Sequence, residues 1–166
     1  FIDTGLKKEE VEKKISVGDP ITRHSELIEL GENVNSKSLD NRVSVFVLLQ
    51  VLKKIKNPPY DIYGVFTVQE EVGLRGANAA ALLINPDFGI GLDTTIAYDT
   101  PGSAEKDQVS RLGSGPCVKI MDSQTICDYR MVKYMKKISS LKNIKTQLEI
   151  LPSGATDTSP LQRMNS

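Results

Sequence analysis

The amino-acid sequence predicts an α/β fold with a mixed, largely parallel sheet flanked by helices. Three observations lead to this prediction. From residue 39 onward, apolar segments of strand length alternate with segments of helical periodicity. Asn-Pro and Pro-Pro pairs separate these segments, and the strand-like ones are continuously apolar, which is typical of parallel strands covered on both faces. The composition, 39% hydrophobic and 25% charged, is that of an ordinary globular protein.

The first part of the chain, residues 1–35, has a different pattern. Lys7–Ile15 is charged and places its apolar residues at helical spacing, so it predicts an amphipathic helix. Val17–Leu30 alternates and turns like a set of short strands. We therefore predict a small α+β unit over residues 1–35, joined near Asn33–Lys37 to a larger domain over residues 36–166.

The larger domain opens with two helix and strand pairs. Leu39–Ile55 is apolar nearly all round, which predicts a buried helix that ends before a Pro-Pro pair. Ile62–Val68, rich in β-branched and aromatic residues, predicts a buried strand. Gly76–Ile84 predicts a helix stopped by an Asn-Pro pair, and Phe88–Asp93 predicts the next strand.

The remaining elements follow the same rules. We predict a strand at Pro116–Met121, a helix at Tyr129–Leu141 and a last strand at Thr146–Leu151. Cys117 and Cys127 lack both metal-site spacing and a secretory context, so free thiols are expected.

The charge pattern excludes several classes of partner. The chain has 21 Lys and Arg against 21 Asp and Glu, so a basic surface for nucleic acid is not indicated. No apolar run approaches the roughly 18 residues that a membrane span needs, and the first residues lack a signal-peptide pattern. We expect a soluble, cytoplasmic protein without a nucleic-acid or membrane partner.

Four acidic residues are the candidates for chemistry. Glu70 and Glu71 follow a predicted strand, Asp93 closes the next, and Asp40 begins the first long helix. In parallel sheets the functional groups gather at the carboxyl ends of the strands. Asp40 could instead be a favourable acid at a helix N-terminus, and Asp93 a turn former. Glu70 and Glu71 are harder to explain structurally, because two adjacent carboxylates at a buried strand end repel each other and lose hydration.

Convergence of these carboxylates would favour a divalent metal site. Carboxylates and imidazoles around two ions are the usual equipment of hydrolytic two-metal centres. One of two adjacent glutamates can then bind metal while the other takes a proton from the attacking water. The residues alone leave open which glutamate does which.

The chain closely resembles the tetrahedral aminopeptidases, dinuclear metallopeptidases related to glutamyl and deblocking aminopeptidases, some of which were once labelled endoglucanases. The run from Gln69 to Ala77, Gln-Glu-Glu-Val-Gly-Leu-Arg-Gly-Ala, is the most specific part of the resemblance. It extends over nearly the whole chain. The other matching motifs are Ser38 to Arg42, Gly91 to Thr95, Tyr98 to Gly102, Leu112 to Pro116, Met121 to Ser123 and Ser153 to Asp157.

The resemblance implies a metal-dependent aminopeptidase with a zinc-exopeptidase-like fold. It implies that Asp40 bridges two divalent ions, zinc or cobalt, that Glu71 binds one and Asp93 the other, and that Glu70 is the general base. It also implies that Gly113 and Gly115 lie near the peptide substrate. Residues 1–35 would be the last part of an inserted β-rich apical domain, and self-association would give a homododecamer.

The chain also departs from the family pattern. Members use one imidazole at each metal, and neither of the segments that carry them is in this sequence, so we expect the 166 residues alone to bind metal weakly. His24 lies in the region matching the apical domain and is not expected to be a ligand. Asn41, Ser44 and Ala155 replace residues common in the family without removing a predicted ligand. Two alternatives stay open: a catalytically inactive scaffold or binding subunit, and a glycoside hydrolase using two carboxylates without metal.

Overall fold

The computed structural model describes residues 2–164 and divides the chain into two compact units, one ending at Leu39 and the other beginning at Asp40. The first unit holds helix α1 (Lys8–Lys14) and a small antiparallel pair, β1 (Ile28–Leu30) and β2 (Asn33–Asn35). The predicted helix and part of the predicted strand region therefore form. The assignment of this unit to an apical domain stays a prediction.

The second unit is a mixed α/β structure. Its helices are α2 (Leu39–Lys54), α3 (Arg75–Ile84), α4 (Tyr129–Leu141) and α5 (Thr158–Met164), with a short 3-10 turn at Glu105–Asp107. Strands β3 (Cys117–Met121) and β4 (Gln147–Ile150) pair in parallel, with Lys119 opposite Glu149. The predicted α/β class with parallel strands and flanking helices is confirmed.

Local chemistry explains where several helices begin and end. The Asp128 carboxylate accepts hydrogen bonds from the backbone N–H groups of Arg130 and Met131, which caps α4 at its first turn. Helix α3 begins after Leu74 and ends before Asn85, both in the left-handed conformation, and Pro86 follows. The predicted bounds of α4 match the structure residue for residue, and those of α3 differ by one residue.

The core lies where α3 packs on α5 and α4 packs on β3. Leu74, Ala77 and Ala81 are buried on the α3 side, and Val118 and Leu151 are buried beside the strand pair. None of the described helices is long and apolar enough to cross a membrane.

Two predicted strands and one predicted burial are wrong. Neither Ile62–Val68 nor Phe88–Asp93 forms a strand. A strand is defined by its pairing, and no other described segment pairs with either of them. Helix α2 forms as predicted but has no buried residue, and Phe46 is 61% exposed. Continuous apolar character shows that a segment is suited to burial but does not specify the neighbour that would bury it.

Candidate active site

The two adjacent glutamates lie in a tight turn between the Ile62–Val68 segment and α3. The carbonyl oxygen of Glu70 accepts hydrogen bonds from the backbone N–H groups of Gly73 and Leu74, at 3.1 and 2.9 Å. The N–H of Gly76 donates to the carbonyl of Val68 at 3.0 Å. A Cβ atom at position 76 would lie 2.6 Å from the backbone N and O of Val68, so only glycine allows this close approach. The turn therefore fixes the backbone from which Glu70 and Glu71 project.

Asp40 and Asp93 reach the same region from two other segments. Asp40 and Asn41 have non-helical backbone angles within the first turn of α2 and are joined by a cis peptide bond. The Asn41 side-chain amide donates a hydrogen bond to Oδ1 of Asp93. The same oxygen also accepts one from the backbone N–H of Thr94 at 2.8 Å. These bonds link the beginning of α2 to the end of the 88–93 segment.

All four predicted carboxylates line one cavity of about 320 Å³. The structure thus brings Asp40, Glu70, Glu71 and Asp93 together, as expected of groups at the carboxyl ends of neighbouring segments. Their individual roles stay predictions. The rest of the lining consists of Thr94, Thr95, Ile96, Lys119, Leu151, Gly154, Ala155 and Thr156.

Burial, with repulsion between neighbouring carboxylates, raises the pKa of two acids in this cavity. Loss of hydration, and then repulsion by Asp93 and Glu71, raise the pKa of Glu70 from its usual 4.5 to about 7. Loss of hydration, with repulsion by Asp40, raises the pKa of Asp93 from 3.8 to about 6, although the Thr94 hydrogen bond opposes this. A carboxyl with a pKa near 7 can both accept and return a proton at neutral pH.

Among the described residues that line the cavity, only Lys119 carries a positive charge. Its ammonium lies 2.8 Å from a carboxylate oxygen of Glu149 and 3.6 Å from one of Asp122, both of which are buried. Lys119 also acts on Asp93, lowering its pKa. Because Lys119 is shared with two buried acids, it leaves most of the cavity's negative charge uncompensated.

The donor chemistry of the cavity fits divalent metal ions. Carboxylate oxygens bind manganese and, together with imidazole, zinc, and a cation would relieve the repulsion that contributes to the two raised pKa values. Within residues 2–164, no three His, Cys, Asp or Glu side chains lie close enough together to hold an ion by themselves. The four carboxylates fit a metal centre as part of its ligand set.

Gly113 and Gly115 do not line this cavity. The Gly113 carbonyl accepts a hydrogen bond from the Lys145 ammonium at 2.9 Å. Gly115 has a φ of 86°, and a side chain there would collide with the backbone of Lys145. Gly115 thus packs closely on the backbone before β4, whereas Gly113 only accepts a hydrogen bond there, and the predicted contact of both glycines with substrate stays a prediction.

Three neighbours of the site had no role in the sequence-based hypothesis. The sequence predicts only a neutral replacement at Asn41, although its position next to Asp40 is a usable signal. Lys119 lies on a predicted strand and carried no motif. Asp157 belongs to a family-like run, and the structure turns it towards the site, where its charge contributes to raising the pKa of both Glu70 and Asp93.

Comparison with known proteins identifies the family of the chain. The family model described as M42 glutamyl aminopeptidase matches residues 1–166. The glutamyl aminopeptidase of Lactococcus lactis is 33% identical over 153 residues, which is 90% of this chain and 42% of that protein. The lysyl aminopeptidase of Pyrococcus furiosus is 32% identical over 125 residues, 75% of this chain and 35% of that protein.

Solved structures similar to this chain are also aminopeptidases. An aminopeptidase of the archaeon Desulfurococcus kamchatkensis superposes with a TM-score of 0.84 at 42% identity, over 92% of this chain and 44% of that one. A TET aminopeptidase of a marine-sediment thaumarchaeote superposes with a TM-score of 0.82 at 31% identity, over 95% of this chain and 46% of that one. The chain spans less than half the length of each of these four proteins. Since the family model matches from the first residue to the last, the chain belongs to the M42 glutamyl aminopeptidase family.

Proposed function

We propose that this chain contributes the carboxylates of a two-metal aminopeptidase site that removes N-terminal residues from peptides. The observation that supports it is the meeting of Asp40, Glu70, Glu71 and Asp93 in one cavity with too little positive charge to compensate them. Membership of an aminopeptidase family favours peptides over other substrates.

The proposed ligands divide between two ions, zinc or cobalt. Asp40 would be held in common by both ions, Glu71 would bind one and Asp93 the other. A catalytic zinc site takes about three protein ligands. The family resemblance supplies the third at each ion as an imidazole from outside these residues. Bound ions would supply Lewis-acid polarisation of the scissile carbonyl and would lower the pKa of the attacking water.

Glu70 is the proposed general base. Its raised pKa, about 7, lets the carboxylate take a proton from water and return it to the leaving amine at neutral pH. The turn fixes the backbone of Glu70, and its side chain lines the cavity. Asn41 and the Thr94 N–H hold the Asp93 carboxylate in one orientation.

Glu70→Gln in the complete natural protein tests the division of roles. The substitution removes proton transfer but keeps the predicted ligands, so metal content should stay at two ions per subunit while kcat falls by about 10²- to 10⁴-fold. Asp93→Asn is the matched comparison, since it should lower metal content as well. A Glu70→Gln protein that loses metal yet regains full activity with added zinc would exchange the roles of Glu70 and Glu71.

Chelation separates this proposal from the two alternatives. Hydrolysis of aminoacyl substrates should disappear with a chelator and return with zinc or cobalt. Glycoside hydrolysis by two carboxylates needs no metal and would survive the chelator. A metal-loaded protein without activity on any aminoacyl substrate would identify an inactive scaffold or binding subunit.

The proposal extends to self-association into a homododecamer. A Pyrococcus horikoshii TET1 peptidase, at 26% identity and a TM-score of 0.72, is described as able to assemble into a tetrahedron or a large octahedral shell. That family precedent supports an oligomer of this protein. Sedimentation of the complete protein measures it directly. A cytoplasmic location stays a prediction from the sequence.

A further inference from the structure

Asp157 lies where the segments that form the acidic cavity meet. Its Oδ2 accepts a hydrogen bond from the Thr67 hydroxyl, a residue 90 positions earlier in the chain. Thr67 is three residues before Glu70, in the segment that leads into the glutamate turn. The other oxygen of Asp157, Oδ1, is buried and has no hydrogen-bond partner among the described residues. A buried carboxylate is costly unless it is bonded, so the Thr67 contact is its compensating interaction there.

The segment around Thr67 is held from the opposite side by α3. The Val68 carbonyl accepts from the N–H of Gly76, and that of Gln69 accepts from the N–H of Arg75 at 3.2 Å. These bonds fix the backbone after Val68 relative to the helix. The Thr67 hydroxyl bonds to a different segment, and Glu70 lies within the turn that the two backbone bonds close.

The loop that carries Asp157 is itself anchored. The Gly154 carbonyl accepts from the backbone N–H of Ser123 at 3.3 Å and from its hydroxyl at 2.5 Å. A Cβ at position 91 would lie 2.6 Å from the Thr158 methyl, so the loop end packs closely on the segment that leads to Asp93. Gly154, Ala155 and Thr156 form a wall of the cavity. The Thr67 hydrogen bond therefore joins this anchored loop to the segment that leads into the turn of the two glutamates.

We propose that Asp157 is a positioning residue. Through its hydrogen bond to Thr67, it fixes the turn that carries Glu70 relative to residues 154–156, which line the cavity. The consequence for catalysis rests on the proposed function, in which Glu70 is the base. A displacement of about 1 Å of a catalytic group can lower a rate by about 10²-fold, so the loss of one tie is measurable.

The test compares two variants at one position in the complete natural protein. Thr67→Val keeps the size of the side chain but removes the hydroxyl, and Thr67→Ser restores a hydroxyl. Thr125→Val is the matched control, because the Thr125 hydroxyl bonds Ser159 at 2.8 Å in the same unit but outside the cavity. Hydrogen exchange followed by mass spectrometry reports on peptides spanning residues 66–72 and 153–158, independently of activity.

We expect Thr67→Val to raise exchange in both peptides together and to lower kcat by about 10- to 100-fold, with KM within about two-fold and metal content unchanged. Thr67→Ser should restore both readouts, and Thr125→Val should leave both at their wild-type values. Joint loosening of the two peptides in a protein without peptidase activity would support the tie while refuting the proposed function. Wild-type exchange at 66–72 in Thr67→Val, or an unchanged kcat in an active enzyme, would overturn the inference.

Discussion

Replacing Glu70 by Gln should change how the stability of the metal-free protein depends on pH. In the folded protein the pKa of Glu70 is about 7, against 4.5 for the exposed group, because burial and neighbouring carboxylates disfavour its charge. Between these two pH values the folded state holds a proton that the unfolded state has released. Stability therefore falls as the pH rises from about 4.5 to about 7, since the folded state binds more protons. Glutamine does not titrate, so the stability of the variant lacks this dependence on pH.

The size of the effect follows from the pKa values and the exposure of the site. The whole interval from 4.5 to about 7 corresponds to about 3.5 kcal/mol, at about 1.4 kcal/mol for each pH unit. Glu70 is only half-buried, and solvent screening weakens the repulsion, so we expect about 1 kcal/mol. The Gln variant should match the wild type at pH 4 and exceed its stability by about 1 kcal/mol at pH 8.

Urea denaturation followed by circular dichroism measures this difference, as the sequence has no tryptophan for fluorescence. Both proteins are kept metal-free with a chelator across pH 4 to 8. Glu29→Gln, in the exposed strand β1, is the control for removing a glutamate without touching the cavity. Equal pH slopes for the wild type and Glu70→Gln, or a less stable variant at pH 8, would refute the electrostatic argument.

Three more predictions follow from the same geometry. Lys119→Met should destabilise the protein by about 3 to 5 kcal/mol in urea denaturation, because it leaves two buried acids without their cation. Glu149→Gln should cost less, and equal losses of stability in the two variants would contradict this. Asp128 has its pKa lowered to about 2, chiefly by its hydrogen bond to the Arg130 side chain. Its stabilising effect is present above pH 4 and is lost as the pH falls towards 2. Asp128→Ala should therefore lower Tm at pH 7 but not at pH 2, and an equal decrease at both would contradict the capping argument. Calorimetric titration of the 166-residue chain with zinc should show weak binding, since each proposed ion has only two ligands here, and two tight sites per chain would show that the ligand count is wrong.

Local signals in the sequence were sufficient for much of the fold. The bounds of α4 follow from Asp128 as a cap and from helical periodicity, and α3 ends where Asn85 and Pro86 predict. The strands β3 and β4 also form within the predicted ranges. These elements depend on nearby residues or on each other, which is why the pattern alone located them.

Burial and pairing could not be predicted in the same way. Three parts of the chain are apolar enough to lie in a core: segments 62–68 and 88–93 and helix α2. Which elements would cover them depends on the whole fold and not on their own sequence. The four acids line one cavity as predicted, although the prediction rested on strand ends at one edge of a sheet and segments 62–68 and 88–93 form no strands. The contacts of Asn41 and Asp157 join residues about 50 and 90 positions apart, and no local pattern encodes such pairs.

The most direct test of the central claim is anomalous X-ray diffraction from crystals of the complete protein loaded with zinc. Data recorded on both sides of the zinc absorption edge locate the ions without reference to activity. The proposed site predicts two anomalous peaks in the acidic cavity, one in contact with Asp40 and Glu71 and the other with Asp40 and Asp93. Zinc peaks confined to other surfaces, with this cavity lacking any, would contradict the claim that these carboxylates form a metal centre.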